Sequence, residues 1–493
     1  MLLLIIFITV AIPTLYSIYI QNFTTRAKKI NKFPGGRRYP VVGNAFQIFQ
    51  TPDGVIDRIT EYFRKFGSCC RVWRFNSPYI FVAEHRTTHQ ILSCPTHIDK
   101  GLDYVLLRKK FGDGLPFSNV AKWKQDRKIL NTGLKSGMFT GFLHVFNKHG
   151  QRLKTELAQF DGTVASNFHP VLSECALGIV YESLLGRKNV SDTGKISSDS
   201  EIAQSIRKSA DGVKTSLLKP WIVRFSKRKR DEKNSFNGKV TREVLQYISD
   251  KNETLISNQY SDPEEAKCLM DILLDPQIPR SIQDIADHVK NFLAAGSDTT
   301  SNSLNFTLFL LAANPHHQDL VAEELRKIFG KQGITGLITF EQVREMHYLE
   351  MCIKESLRIF PPVPNFSRRM KEDVKLNWCD LTIPEDVDVV FSVIHMHRDK
   401  EIFPKPEIFD PLRFTSENIA TRPHSAFIPF SAGIRNCIGQ KYAMIEMKVL
   451  LALIISDYAF ATNVSQDEVR LTYGFITGPT KPLYMTITPR NKI

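Results

Sequence analysis

Apolar residues recur along most of the chain at spacings of three and four. Ile438, Tyr442, Ile445, Val449 and Ala452 form one stripe near the carboxyl end, and Leu349, Ile353 and Leu357 form another that stops at Pro361-Pro362. Each stripe marks one buried face of a helix. A third run, Ile282, Ile285, Val289 and Phe292, continues at the same spacing onto Gly296 and Thr299, so an apolar face turns small and then hydroxylic in mid-helix. Ser281 with Asp284 gives that helix a capping-box start. A mid-helix glycine costs about 1 kcal/mol against alanine, which asks for a spatial reason at Gly296. Strand-like runs are few. They lie in Val72 to Ala83, bounded by Asn76-Ser77-Pro78, and around Thr472 to Thr488, where Gly478-Pro479 predicts a hairpin. Residues 150 to 280 read as helical. The pattern therefore predicts a fold that is mostly α with a small β region, and no Pro/Gly/Ser linker or repeat divides it into smaller domains.

The amino end breaks this pattern. Met1 to Ile20 carries no charge, and is long enough to cross a hydrocarbon core of roughly 30 Å as a helix. Arg26, Lys28, Lys29, Lys32, Arg37 and Arg38 all follow it. By the positive-inside rule that asymmetry keeps the body on the cytoplasmic side, so residues 1–20 are expected to be an uncleaved signal-anchor transmembrane helix. Residues 21–44 combine these basic residues with Phe33-Pro34-Gly35-Gly36 and Tyr39-Pro40-Val41-Val42-Gly43-Asn44, the composition of an extended, stiff hinge. Residues 45–493 are then expected to form one large globular domain. A net charge of +14 raises nucleic acid as a partner, but the positive residues are scattered and no nucleic-acid motif is present; a basic face toward anionic lipid or an acidic protein fits better. The eight cysteines contain no C-x-x-C pair and read as reduced thiols.

Candidate chemistry concentrates in Phe430-Ser431-Ala432-Gly433-Ile434-Arg435-Asn436-Cys437-Ile438-Gly439. Cys437 lies beside a helix start, where free backbone N–H groups and the helix dipole lower a thiol's pKa and favour a metal-ligating thiolate. Gly433 permits a tight turn before the cysteine, and Gly439 lets a flat aromatic surface approach the helix backbone. Phe430 shields the sulfur from water, and Arg435 pairs with an anionic group. The constellation suits a haem held by one cysteine thiolate. At average residue usage, five such fixed positions match by accident in about one sequence in ten thousand.

At these residues the chain resembles the cytochrome P450 family of haem-thiolate monooxygenases, and Cys437 falls on the family's iron ligand. The resemblance covers residues 33 to 490 and implies that family's helical prism with a small β region. Trp123 and Arg127, at i and i+4, match the pair that donates to a haem propionate, and Leu102 to Phe117 matches the loop that covers substrate. Ala295-Gly296-Ser297-Asp298-Thr299-Thr300 matches the oxygen-binding segment, in which Gly296 makes room for dioxygen while Asp298 and Thr299 relay protons. Taken from the residues alone, Thr299 also suits a bond to its own i−4 carbonyl. Glu355 and Arg358 match the family's buried Glu-x-x-Arg, with Arg413 as its second arginine and Leu412 where glutamate is common. Arg368 matches another propionate-binding arginine, with Arg369 as a competing neighbour. His316-His317 and His395-Met396-His397 lie outside every haem motif and read as surface or structural residues. The tip Phe475 to Gly478 is expected to touch substrate.

The resemblance further implies insertion of one oxygen atom from O2 into a lipophilic substrate. Electrons would come from a separate NADPH-cytochrome P450 reductase, with cytochrome b5 as a second donor, at the endoplasmic reticulum membrane. The cysteine loop, Gln440-Lys441-Tyr442-Ala443 and Pro361-Pro362-Val363-Pro364 look most like the fourth microsomal family, whose substrates are often fatty acids. Many members of that family carry a glutamate that tethers the haem covalently; Ala295 occupies its place, so haem here is expected to be non-covalent apart from the bond from Cys437 to iron. Two alternatives share the motifs. One is a reductase-independent peroxide isomerase of the same fold, whose members commonly lack the acid and threonine kept here; the other is a non-catalytic haem-binding or gas-sensing protein.

Overall fold

A computed structural model describes residues 7–49, 54–134, 138–160, 162–186, 268–275 and 277–490, with scattered positions between 238 and 249. The sequence also holds a basic run, Lys227-Arg228-Lys229-Arg230, that reads as a solvated loop between helices; it lies outside the described residues. Helices dominate: α1 (Ile12–Asn22), α2 (Thr25–Ile30), α3 (Val55–Phe66), α4 (His85–Leu92), α5 (Asp103–Phe111), α6 (Val120–Leu130), α7 (Phe139–Leu157), α8 (His169–Leu185), α9 (Ile282–Ala313), α10 (Pro315–Phe329), α11 (His347–Ile359) and α12 (Gln440–Ile455).

The long helix α9 is buried along nearly its whole length and packs most extensively on α8. Ser281 caps it by accepting from the Asp284 N–H at 3.1 Å. Only half of the expected capping box forms, because the Asp284 carboxylate turns instead to Arg280 and Lys122. The stripe predicted on α12 holds: Tyr442, Ile445, Val449 and Ala452 are all buried in the main core, against α7 and α9.

The small sheets frame one side. The strand-like runs expected in Val72 to Ala83 form strands β1 (Cys69–Arg74) and β2 (Ser77–Val82), which pair antiparallel. β2 continues parallel to β7 (Asp388–Ser392), which pairs antiparallel with β4 (Asn365–Arg369), giving the order β1-β2-β7-β4. β5 (Val374–Lys375) pairs with β6 (Thr382–Ile383), and β3 (Ser166–Asn167), β9 (Tyr484–Pro489) and β8 (Tyr458–Ala461) form the third sheet. The terminal hairpin differs from expectation. Residues 470–480 fold back on themselves through Thr472 N–H to Gly478 carbonyl (2.9 Å) and Thr480 N–H to Arg470 carbonyl (2.8 Å), while β9 pairs with β8. Alternation gives a strand's faces and leaves its partner open.

Two other segments also differ. The stretch 102–117, expected as a loop, contains the helix α5, followed by a turn. The hinge expected over 21–44 is partly helical: α2 is capped by Thr24, and Ala27, Ile30 and Phe33 are buried against the four-stranded sheet. Among the described residues no helix is long and apolar enough to cross a membrane. In α1 the residues Leu15, Tyr16 and Tyr19 are more than half exposed, whereas Ser17 and Gln21 are buried against the body.

Candidate haem site

The loop before α12 is built by local backbone constraint. Gly433 adopts φ +72°, and a Cβ there would collide with the Leu92 carbonyl oxygen, so only glycine makes this turn without strain. The Cys437 N–H donates to the Phe430 carbonyl at 2.9 Å, closing the loop. Upstream, the Ile428 N–H donates to His397 Nε2 at 2.9 Å, and burial holds that imidazole neutral. His397 is thus structural, as expected, and it anchors the strand of chain that leads to Phe430. His395 bonds Ser392 and Thr60, and His317 bonds Tyr348.

Cys437 opens into a cavity of about 320 Å³ between α9 and the loop. It is accessible from inside this cavity while lying deep in the protein. Burial pushes its thiol up, against the pull of the Gly439 N–H and the Arg127 guanidinium. The lowered pKa expected from a helix start alone is therefore not reached, because burial outweighs the local donors; a coordinated metal cation deprotonates such a thiol outright. Phe430 and Gly439 line the same cavity, and a Cβ at Gly439 would meet only the Cys437 sulfur at 3.9 Å.

The opposite wall is α9, contributing Gly296, Asp298 and Thr299. The Thr299 hydroxyl donates to the Ala295 carbonyl at 2.5 Å, the local bond that helical threonines favour. The missing side chain of Gly296 points at α8: a Cβ there would sit 2.8 Å from Val180 Cγ2. Close helix packing, which the sequence does not reveal, is one reason for this glycine.

Cations gather at one edge. Arg435 is 6% exposed; it donates to the Ser118 carbonyl at 3.0 Å and lies 4.6 Å over the Trp123 ring, while among the described residues its Nε and Nη1 have no partner. Arg368, 2% exposed, donates to the Ser367 carbonyl, and among the described residues its Nη2 has no partner. Arg369 is engaged by Asp388 and Asp386. Lys100, which no sequence motif flags, joins Arg435 on the wall, with Nζ 4.5 Å from the Tyr104 ring centre. Burial, then Arg368 and Arg435, push Lys100 well down; burial brings Arg368 to about 10, and burial with Arg368 brings Arg435 to about 10. Buried cations that repel one another and carry unmade hydrogen bonds require anions between them. Two haem carboxylates fit that demand, and a thiolate-ligated iron fits the cavity beside it.

Trp123 and Arg127 share one face of α6, as expected. Arg127 forks onto Asn436, with Nη1 to the carbonyl at 2.7 Å and Nη2 to Oδ1 at 2.8 Å, so it braces the cysteine loop. α6 is held against α9 by a buried network: Asp126 and Asp284 with Lys122, Arg280 and His288. Asp126, Asp284 and His288 approach one another as metal ligands do, but Lys122 and Arg280 already neutralise the carboxylates. The expected Glu355, Arg358 and Arg413 cluster forms behind the loop, with Glu355 and Arg358 fully buried at 2.7 Å and Arg413 at 3.4 Å. Leu412 is half exposed, so its departure from glutamate costs the fold little.

Tyr104, Phe111 and Phe117 from the 102–117 segment and Phe475 from the carboxyl-terminal turn complete the apolar wall. Their rings contact one another at centroid distances of 5.7 to 6.2 Å. A second cavity of about 200 Å³ shares Tyr104, Phe366 and Phe475 with the first. It contains Arg74, paired with Asp103 at 2.5 Å, among otherwise mostly apolar walls.

Comparison with known proteins agrees with this geometry. Residues 33–486 match the family described as Cytochrome P450. The chain is 31% identical to Cytochrome P450 4c3 of Drosophila melanogaster, over 96% of this chain and 92% of that one. It is 30% identical to Cytochrome P450 4V2 of Rattus norvegicus, over 92% and 89%, and 30% identical to Cytochrome P450 4c21 of Blattella germanica, over 98% of each. The chain belongs to the cytochrome P450 family and falls with its fourth-family members, as a monooxygenase that binds haem through a cysteine thiolate.

Proposed function

We propose that this protein is a membrane-anchored monooxygenase that hydroxylates a fatty acid, drawing electrons from NADPH-cytochrome P450 reductase, with cytochrome b5 as a second donor, at the cytoplasmic face of the endoplasmic reticulum. The observation that carries the reading is the apolar cavity that brings Cys437, Asp298 and Thr299 together. Haem bound there supplies oxygen activation, which thiolate donation from Cys437 favours. Arg435, Arg368, Lys100 and the Trp123 N–H hold its carboxylates, and Arg127 steadies the loop that presents the sulfur. Phe430 keeps water from the sulfur. Asp298 and the Thr299 hydroxyl pass protons into the cavity; for this the Thr299 proton leaves the Ala295 carbonyl for the cavity side. The aromatic wall of Phe111, Phe117 and Phe475 takes up the alkyl chain by apolar burial. The adjoining cavity, mostly apolar around the Arg74–Asp103 pair, supports a substrate with a long apolar chain. The apolar face of α1 and the basic residues after it support the anchor over residues 1–20.

The decisive experiment compares product formation with and without NADPH and reductase, and with and without O2. Dependence on both is expected. Product from a lipid hydroperoxide without either identifies a peroxide isomerase, and absence of turnover with a normal haem spectrum identifies a binding protein. Cys437→Ser is expected to lose the red-shifted absorbance of the reduced carbon monoxide complex; an unchanged spectrum removes Cys437 as ligand.

A further inference from the structure

Between the end of α1 and the start of β1 lies a cleft of about 330 Å³, whose charged lining is Arg37, Arg38 and Arg71. Among the described residues none of the three is paired with a carboxylate. Arg38 donates only to neutral oxygens: the Gln21 carbonyl at 2.5 Å, Asn31 Oδ1 at 2.6 Å and Asn22 Oδ1 at 3.0 Å. A guanidinium has five N–H groups, so two remain. Arg71 donates to the Gly36 carbonyl at 3.2 Å, and among the described residues its buried Nε has no partner. Arg37 is exposed over the Tyr39 ring. Burial, and then the charge of Arg71, lower the Arg38 pKa, as expected of a cation short of an anion.

The floor of the cleft is fixed. Tyr62 accepts the Gly36 N–H at 2.6 Å and donates to the Arg71 carbonyl at 2.8 Å. A Cβ at Gly35 would lie 2.5 Å from the Arg71 carbonyl oxygen and 2.6 Å from its Cγ, so the chain lies this close to Arg71 only as glycine. One wall is α1 itself, held to the body by Ser17 Oγ to Asn76 Oδ1 (2.7 Å) and Gln21 Nε2 to the Phe75 carbonyl (3.2 Å). The outer face of that helix exposes Leu15, Tyr16, Tyr19 and Phe23, each by more than half. The cleft therefore opens where an apolar helix face meets the basic residues Arg26 to Lys32, the succession that marks a bilayer interface.

We propose that this cleft binds the phosphate of an anionic phospholipid, gripped by Arg37, Arg38 and Arg71. The guanidinium fork matches phosphate oxygens in pairs, which a lysine ammonium cannot do. The proposal rests on the reading of the amino-terminal helix as membrane-seated, and it adds a defined headgroup site to that helix. Occupying it ties lipid, α1 and the sheet together and so sets the tilt of the haem domain on the membrane.

The test is flotation of the haem-loaded full chain with vesicles of phosphatidylcholine, alone or with phosphatidic acid. Phosphatidic acid is expected to strengthen binding, and Arg38→Lys with Arg71→Lys to remove about fivefold of that gain at unchanged net charge, the effect of about one net hydrogen bond lost with the guanidinium fork. Lys28→Gln with Lys32→Gln, outside the cleft, is expected to remove less than Arg38→Gln with Arg71→Gln. Arg37→Lys with Arg38→Lys leaves Arg71 in place and guards against misfolding, with the reduced carbon monoxide spectrum as the check. Equal losses for cleft and outside pairs, or none in the lysine variants, overturn the site in favour of diffuse attraction. If millimolar inorganic phosphate protects residues 35–40 from hydrogen exchange while phosphatidic acid gives no gain, the ligand is free phosphate and the lipid assignment falls. Failure to float with phosphatidylcholine alone overturns the membrane reading itself, whereas loss of only the phosphatidic acid increment overturns the cleft.

Discussion

Replacing Glu355 by glutamine tests how the interior supports the cysteine loop. Arg358 is fully buried and makes its bonds within this cluster: Nε to Glu355 Oε2 at 2.7 Å, Nη2 to Oε1 at 2.8 Å, Nη1 to the His397 carbonyl at 3.0 Å and Nη2 to the Pro406 carbonyl at 2.6 Å. Burial pushes the Glu355 carboxyl up and its bonds to Arg358 pull it back, so the intact pair contributes little net stability. Half of the pair is costly. In Glu355→Gln an amide NH2 faces a guanidinium N–H, and the buried cation keeps only Arg413, a like charge, and neutral carbonyls. Leaving one member of a buried pair uncompensated costs about 3–5 kcal/mol, a large share of the roughly 5–15 kcal/mol that holds a protein folded. The loss also reaches the site, because the same Arg358 holds His397, and His397 holds the Ile428 N–H ahead of Phe430. The expected result is a sharp fall in the fraction of protein giving the thiolate carbon monoxide spectrum, and a lower urea midpoint for its loss. Glu355→Leu with Arg358→Leu, which removes both charges, is expected to recover part of that stability. A glutamine variant with full spectral yield and a midpoint shift worth less than about 1 kcal/mol refutes the argument.

Thr299→Ala removes a hydroxyl that, among the described residues, bonds only to its own helix, so stability is expected to change by less than about 1 kcal/mol while NADPH is diverted to hydrogen peroxide; unchanged coupling removes Thr299 from proton delivery. Gly433→Ala, at φ +72° and against the Leu92 carbonyl, is expected to abolish haem loading in whole or large part, read as haem per protein. Burial alone raises the Asp126 carboxyl, yet bonds from His288 and Lys122 hold it well below the usual carboxylate range. Its contribution is therefore full above the unfolded value near 3.9 and lost as pH falls toward the folded value. Stability should drop below about pH 4, and Asp126→Asn should flatten that acid limb. Ala295 lines the cavity and offers no nucleophilic oxygen, so acidified organic solvent is expected to extract all of the haem, and hydroxylation of a fatty acid is expected to spread to the penultimate carbon. Haem left on the polypeptide, or exclusively terminal product, contradicts this.

What the sequence determined by itself was chemistry set by short spacing. Cys437 with Gly433, Arg435 and Gly439 stands within one loop; Glu355 with Arg358 and Trp123 with Arg127 stand one turn apart on their helices; and the stripe from Ile438 to Ala452 defines a face. In each case the bond geometry of fifteen or fewer residues fixes the relation. Only the tertiary structure decided which of two adjacent arginines is free, because Arg369 meets Asp388 across β4 and β7 and Arg368 does not. It brought Lys100 to Arg368 and Arg435, turned the Gly296 gap toward Val180, and gave Ile428 its acceptor in His397. It also closed Arg37, Arg38 and Arg71 around one cleft. These neighbours lie tens to hundreds of residues apart. Their meeting depends on which faces the whole core buries together, and no local period records that.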